Sequence, residues 1–438
     1  MDALLLSRWQ FAITAAFHFI FPSFTIGLSL VIFTFFLIFF IKKDDIYRKI
    51  GNLLVKIFAV GFAVGVATGI VMEFQFGTNW AEFSKRAGGI FGGPLAIEAM
   101  VAFFLESSFL SILVFAEKKV SPLVRLISSF LVMLGTFISG FWILTALNWM
   151  QIPTGFKIEG SKIILTDFWA IIFNQPNIIR FLHTIVACFI AGSLLVMGIS
   201  SYKILKNKQK EIFTKAFRVS SFIFLIFSLI QPFLGTLSGE YVAKHQPLKL
   251  AIMEAKWQNE KPASEPIIAL IDQKNMTNIV EISIPGLLSM LAYHDPQAEF
   301  KGIKQLIDEY NIKKEELPNI PLTFWSFRGM VGLGFMFIAI GILSVLLFKN
   351  LEKAKWLLWL IVFTIPTPII ANWLGWIVTE HGRQPWVIYG LLKTKGSVSN
   401  LSTPEVTFTL FTFVGIYLLL FILWTFITIK IISKGIDD

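Results

Sequence analysis

Nine apolar runs set the limits on what this chain can fold into. A hydrocarbon core about 30 Å thick takes ~20 residues of helix to cross. Runs of that order occur near 11–41, 53–74, 94–116, 123–147, 181–202, 219–239, 323–348, 356–379 and 406–432. Composition agrees: 55% of residues are hydrophobic and only 15% are charged, against roughly 25% charged in soluble domains. The chain is therefore predicted to be an all-α integral membrane protein with nine transmembrane helices. The first run lacks a cleavage pattern, so it is expected to be a retained span rather than a signal peptide. The single cysteine, Cys188, lies inside an apolar run. Alone it permits neither an internal disulfide nor a multi-thiolate metal site, and it reads as a small core residue.

The basic residues set an orientation. The connections after the odd-numbered runs carry Lys42, Lys43, Arg48 and Lys49; Lys118, Lys119 and Arg125; Lys203, Lys206, Lys208, Lys210, Lys215 and Arg218; and Lys349, Lys353 and Lys355, with Lys430 and Lys434 after the last run. The short connections on the other side carry about half as many, among them Arg8, Arg180 and Arg383. Positively charged loops stay in the cytoplasm, which predicts an external N-terminus and a cytoplasmic C-terminus. The formal net charge of +10 then needs no nucleic acid to explain it.

Three units are expected: helices 1–6 over 1–239, an external segment over 240–322, and helices 7–9 over 323–438. The middle segment is polar and too long for a simple connector. Pro247 through Trp257 reads as a helix with proline near its start. Asp308–Glu316 reads as a second short helix, and Phe168–Phe173 as a short interfacial one. No internal repeat or low-complexity tract is present.

Ionisable side chains inside spans are costly and mark functional sites. Here they are His18, Glu73, Glu98, Glu106, His183, Arg328 and Glu380. With the predicted orientation, His18, Glu98, His183, Arg328, Met330 and Glu380 all reach the outer half of the membrane, below the long segment. Taken singly each has a plainer reading: a hydrogen-bonded core histidine, an apolar methionine, or an interfacial cap in which Trp376 and Trp386 form an aromatic belt and Arg383 snorkels. Taken together they are suitable haem groups. Histidine with methionine makes a six-coordinate electron-transfer haem, and one strong protein ligand leaves a position open for oxygen. Arginine pairs with propionates.

Several stretches carry a family resemblance over nearly the whole chain. They are Ser7-Arg8-Trp9-Gln10-Phe11-Ala12 with His18; Gly65-Val66-Ala67-Thr68-Gly69 leading to Met72 through Trp80; Pro94-Leu95-Ala96-Ile97-Glu98; Phe103-Phe104-Leu105-Glu106-Ser107; Phe181-Leu182-His183-Thr184; Gln246-Pro247-Leu248-Lys249-Leu250-Ala251 with Glu254; Phe327-Arg328-Gly329-Met330; and Gly382-Arg383-Gln384-Pro385-Trp386. In these the sequence resembles subunit I of the cytochrome bd-type quinol oxidases, in the form with a short outer loop. The resemblance implies a haem-containing quinol:oxygen oxidoreductase of the bacterial inner membrane. It implies His183 and Met330 as axial ligands of a low-spin haem b, with Arg328 beside it. His18 and Glu380 would each serve one of two high-spin haems, a haem b and a haem d (or a third haem b), with Glu98, Arg383 and Trp376 close by. Lys249 and Glu254 would bind and deprotonate quinol, although five residues apart they do not share a helix face and also read as solvated charges. A second large subunit and a small single-span one are the implied partners. His381 stands next to Glu380, as a competing ligand or facing solvent.

Oxygen reduction near the outer face requires protons carried from the cytoplasm across most of the membrane. Glu98 and Glu106 lie eight residues apart, roughly 12 Å along a helix and ~80° around it. With Ser107, Ser108 and Ser139 they form a candidate relay. Quinol oxidised outside and oxygen reduced with inside protons would separate charge without a pump. The competing readings are an ion-coupled secondary transporter using the buried carboxylates, for which no inverted repeat is visible, and a structural subunit without cofactor.

Overall fold

The computed structural model describes residues 2–117 and 119–436; Lys118, one of the basic residues in the charge argument, lies outside them. Among the described residues nine helices are long and apolar enough to cross a membrane: span 1 (Ala3–Lys42), span 2 (Asp45–Thr78), span 3 (Ala81–Phe115), span 4 (Pro122–Gln151), span 5 (Pro176–Leu205), span 6 (Lys210–His245), span 7 (Ile320–Asn350), span 8 (Lys355–His381) and span 9 (Thr403–Lys434). Short polar side chains cap the start of several of them, supplying acceptors for the orphan N–H groups there. The carboxylate of Asp2 accepts from Leu5 N–H at 2.8 Å, Asp44 from Ile46 at 3.0 Å and Asn319 from Leu322 at 2.9 Å. Ser402 and Glu405 form a capping box on span 9.

The largest departure from the sequence expectation is span 3. Its apolar run reads from 94, but the helix begins at Ala81. Glu82, Lys85, Arg86 and the glycines between 88 and 93 dilute the hydropathy there without breaking the helix.

Span 5 is the axis of the bundle: 78% of its apolar window is buried, against 6% for span 9. It packs on spans 1, 4, 6 and 8. Spans 1 and 5 cross at Gly27 and Gly192, where a Cβ on Gly27 would stand 2.0 Å from the Cys188 carbonyl oxygen. Small residues let membrane helices approach this closely, and Cys188 is a buried member of that crossing, as its context predicts.

At one end of the bundle the chain between spans 6 and 7 folds over the helix ends. It contains a helix at Pro247–Met253, an antiparallel hairpin of Glu265–Asp272 with Thr277–Ile284, and helices at Leu287–Tyr293 and Ile303–Glu309. The helix expected over Asp308–Glu316 instead ends at Glu309, with only a 3-10 turn at Lys314–Glu316. The interfacial helix is present at Phe168–Ile172. Leu250, Ile252, Met253, Trp257, Phe300 and Ile303 pack with Phe324 of span 7 and Val378 of span 8 in one core. The segment is thereby seated on the membrane helices rather than hanging from them. At the opposite end, Lys203 and Gln209, flanking the turn between spans 5 and 6, hold the backbone of Ser433 and Ile436.

Candidate active site

Span 8 finishes in a π-helical turn, Ile377–His381, which carries Glu380. Such a turn fits in one residue more than an α-turn and is frequent at functional sites. Glu380 Oε1 accepts from Gln151 Nε2 at 3.0 Å, and Oε2 pairs with Arg383. Gln151, wholly buried at the end of span 4, also accepts from Lys249 Nζ at 3.3 Å, and Lys249 donates to the Thr379 carbonyl at 3.0 Å. Lys249 is 3% exposed and Glu254 2%, so neither is the solvated charge that their spacing left open. Burial holds the Lys249 ammonium well below the usual lysine range; the Arg180 and Arg383 guanidiniums add to this and Glu380 opposes it. Arg180 and Arg383 each keep an Nη1 buried without a partner. Three basic groups thus gather around one carboxylate, and an anion bound there would offset the excess buried positive charge.

A second cluster lies around Arg328. Its Nη2 binds Glu254 Oε2 at 2.6 Å and Glu265 Oε1 at 3.0 Å, and its Nε donates to the Pro266 carbonyl at 2.9 Å. The guanidinium lies over the rings of Phe324 and Phe327, 4.5 and 5.1 Å from their centroids. The backbone of the helix Pro247–Met253 therefore sends Lys249 to the Glu380 cluster and Glu254 to the Arg328 cluster. Their five-residue spacing requires that divergence.

The candidate ligands stand singly. His18 Nδ1 is 3.0 Å from Thr68 Oγ1, whose own proton goes to the carbonyls of Val64 and Gly65. With that proton on the carbonyls Thr68 accepts from Nδ1–H, and the lone pair is then on Nε2, the tautomer of a histidine ligand. His183 faces span 6, with Nε2 3.3 Å from Gln231 Nε2, and its Nδ1 is buried without a partner. Met330 faces span 8, where a Cβ on Gly375 would lie 3.1 Å from its sulfur. Trp376, the next residue, packs edge-on against Phe19 of span 1. His381 Nε2 accepts the Asn319 N–H at 3.0 Å, at the start of span 7.

Glu98 opens the other π-helical turn, Glu98–Ala102 in span 3. Eight residues that include a π-turn count as about seven α positions, so Glu98 and Glu106 lie ~20° apart around the axis rather than ~80°. Span 4 meets both: Ser139 Oγ donates to Glu98 Oε1 at 2.6 Å, and a Cβ on Gly135, one turn earlier, would stand 3.1 Å from Glu106 Cβ. Glu106 is buried, and beside it Thr136 bonds Ser29 of span 1 at 3.1 Å. Ser107 and Ser108 leave this seam. The Ser107 hydroxyl returns to the Phe104 carbonyl and Ser108 is exposed, so their place in the relay is corrected to Ser139 alone.

Gln151, Arg180 and Glu265 were not singled out by the sequence. Arg180 reads there as a loop charge, and only its position one turn before His183 marks it. Among the described residues no three His, Cys, Asp or Glu side chains gather into a metal-ion site. Single imidazole, thioether and carboxylate donors, with orphaned guanidinium nitrogens nearby, do fit an iron porphyrin. Such a group would bring four ring nitrogens of its own to the iron, and its propionates would supply the anions.

Comparison with known proteins places the chain in a family. Residues 6–436 match the family described as cytochrome bd terminal oxidase subunit I. The chain is 38% identical to cytochrome bd ubiquinol oxidase subunit 1 of Bacillus subtilis (strain 168), over 100% of this chain and 95% of the relative. It is 32% identical to cytochrome bd-II ubiquinol oxidase subunit 1 of Escherichia coli (strain K12), over 99% and 97%. The solved structure of bd oxidase from Geobacillus thermodenitrificans superposes with a TM-score of 0.91 at 26% identity, covering 99% of each chain. With nine apolar helices of this arrangement and a match from end to end, the chain belongs to the cytochrome bd terminal oxidase subunit I family and is a multi-pass membrane protein.

Proposed function

We propose that this chain is the haem-carrying subunit of a quinol:oxygen oxidoreductase in the bacterial cytoplasmic membrane, paired with a second large subunit and with a small single-span one. The observation that carries this reading is the pair of buried links made by one short helix. Lys249 ties it to the Glu380 cluster and Glu254 ties it to Arg328, two residues before Met330. A substrate bound there is next to both sets of candidate ligands.

In this reading the N-terminus is outside and the C-terminus cytoplasmic. Segment 240–322 is the external quinol-binding unit between helices 1–6 (1–239) and 7–9 (323–438). His183 and Met330 hold a low-spin haem b. His18 and Glu380 serve two high-spin haems, a haem b and a haem d or third haem b. When bound, haem supplies one-electron transfer and a site for oxygen. The chain does the rest. Thr68 bonds the His18 ring, Gln231 holds the His183 ring, and Arg180 and Arg383 would hold the propionates. Glu254 accepts a proton from quinol while Lys249 orients it. Glu98, bonded to Ser139, and Glu106, packed one turn away against Gly135 of the same span 4, carry protons from the cytoplasmic side. Release outside and uptake inside build a proton motive force without a pump.

Lys249→Ala and Glu254→Ala are expected to slow quinol oxidation by ~10²-fold or more while leaving the absorption of every haem and turnover with an artificial electron donor in place. Normal quinol turnover in both variants would contradict the assignment.

A further inference from the structure

The hairpin that follows the Lys249 helix brings in a residue that the quinol-site reading does not use. Glu265, at the start of its first strand, binds the same Arg328 nitrogen as Glu254. It is 8% exposed, and its Oε2 is buried with no hydrogen-bond partner. Arg328 Nη1 is likewise buried and unpartnered. One guanidinium therefore clamps two carboxylates, and beside them an acceptor oxygen and a donor N–H are both open. A hydroxyl group fits such a pair, since it donates to one and accepts from the other. Across the hairpin Glu265 faces Ile284, and Ile267, Ile268 and Ile284 are exposed, so an apolar surface adjoins the polar pair.

We propose that Glu265 is a second proton-accepting carboxylate of the quinol site, acting with Glu254 so that the two carboxylates on Arg328 take the two protons that a quinol gives up. The proposal rests on the reading of Lys249 and Glu254 as that site. A quinol becomes a quinone by losing two protons and two electrons. The two O–H bonds break, one carboxyl O–H forms on Glu254 and one on Glu265, and the electrons leave to the oxidase and on to oxygen. The protons then pass to water, which returns the pair to its ionised form. Arg328 keeps both acceptors in place at either stage and offers Nη1 to the substrate oxygen.

The charged groups facing Glu265 come from three elements: Glu254 at the end of the helix Pro247–Met253, Arg328 on span 7, and Lys256 just after the helix, itself paired with Glu260 at 2.8 Å and Glu281 at 3.0 Å. Burial first, and then the Glu254 charge, push the Glu265 carboxyl up to about 8, against the pull of Arg328 and Lys256. A base in that range is suited to proton transfer near neutral pH. The sign follows: the acceptor is ionised above about 8 and protonated below it, so quinol oxidation rises with pH through a midpoint near that value and levels off above it.

The test uses the purified oxidase complex carrying Glu265→Gln, Glu265→Asp or Glu254→Gln, assayed for quinol oxidation from pH 6 to pH 9. Glutamine keeps the carbonyl oxygen for Arg328 but does not titrate. The expected result for Glu265→Gln is a fall of about tenfold or more in kcat at neutral pH, little change in KM, loss of the rise with pH, and unchanged haem absorption, with Glu265→Asp restoring part of the rate and a shifted rise. If Glu254→Gln is inactive while Glu265→Gln keeps the wild-type rate and pH profile, the Glu265 proposal is overturned and the quinol site stands. If both retain wild-type behaviour, the site assignment fails and takes the proposal with it. Should Glu265→Gln not assemble, Glu265→Asp decides. An unshifted profile overturns the proposal, and a shifted one upholds it.

Discussion

At the scale of single residues, this protein isolates its candidate ligands and surrounds each with groups that fix one ring or one lone pair. Thr68 bonds His18 Nδ1, and the Asn319 N–H bonds His381 Nε2. Met330 offers the cleanest test. Met330→Leu changes volume little, so the fold should lose less than ~1.5 kcal/mol, while the thioether is lost. The low-spin haem is then expected to turn high-spin, to fall in potential or to be lost, read in the reduced absorption spectrum and a redox titration. A low-spin haem of unchanged potential would remove Met330 from the site. His18, His183 and Glu380 were legible in the sequence because a membrane span makes any polar group conspicuous, and Met330 only because it stands beside Arg328. Glu265 was not, since it lies in a polar segment where a glutamate is unremarked. Only the hairpin fold, joining residues 63 positions apart, reveals that it is buried against Arg328.

At the scale of elements, the two π-turns do work that a regular helix would not. They carry Glu98 and Glu380, and in span 3 the inserted residue swings Glu98 and Glu106 onto the face that meets Gly135 and Ser139 of span 4. A sequence read with 3.6 residues per turn places the two glutamates correctly along the axis but misplaces them around it. Hydropathy likewise finds span 3 but not its first turns, because glycine and charge dilute the signal without preventing a helix. The account predicts that Glu106→Leu slows oxygen reduction and its proton uptake by ~10-fold or more with all haems retained. Vesicles reconstituted with that variant check it. Wild-type turnover together with wild-type membrane potential would take Glu106 out of the proton route.

At the scale of the whole molecule, the nine helices and the folded segment between spans 6 and 7 build one site at one end. The opposite end is closed by the C-terminal residues on Lys203 and Gln209. The bundle was readable from apolar run length, because lipid imposes that length on any helix that crosses it. The seating of the segment was not, because it depends on long-range packing of Leu250, Trp257 and Phe300 on Phe324 and Val378. What the arrangement is for is decided by one measurement: the visible absorption of the purified, oxidised complex, followed as quinol and then oxygen are added. The account predicts haem absorption that quinol reduces and oxygen reoxidises. A complex that binds no haem, or haem that quinol leaves oxidised, would contradict it.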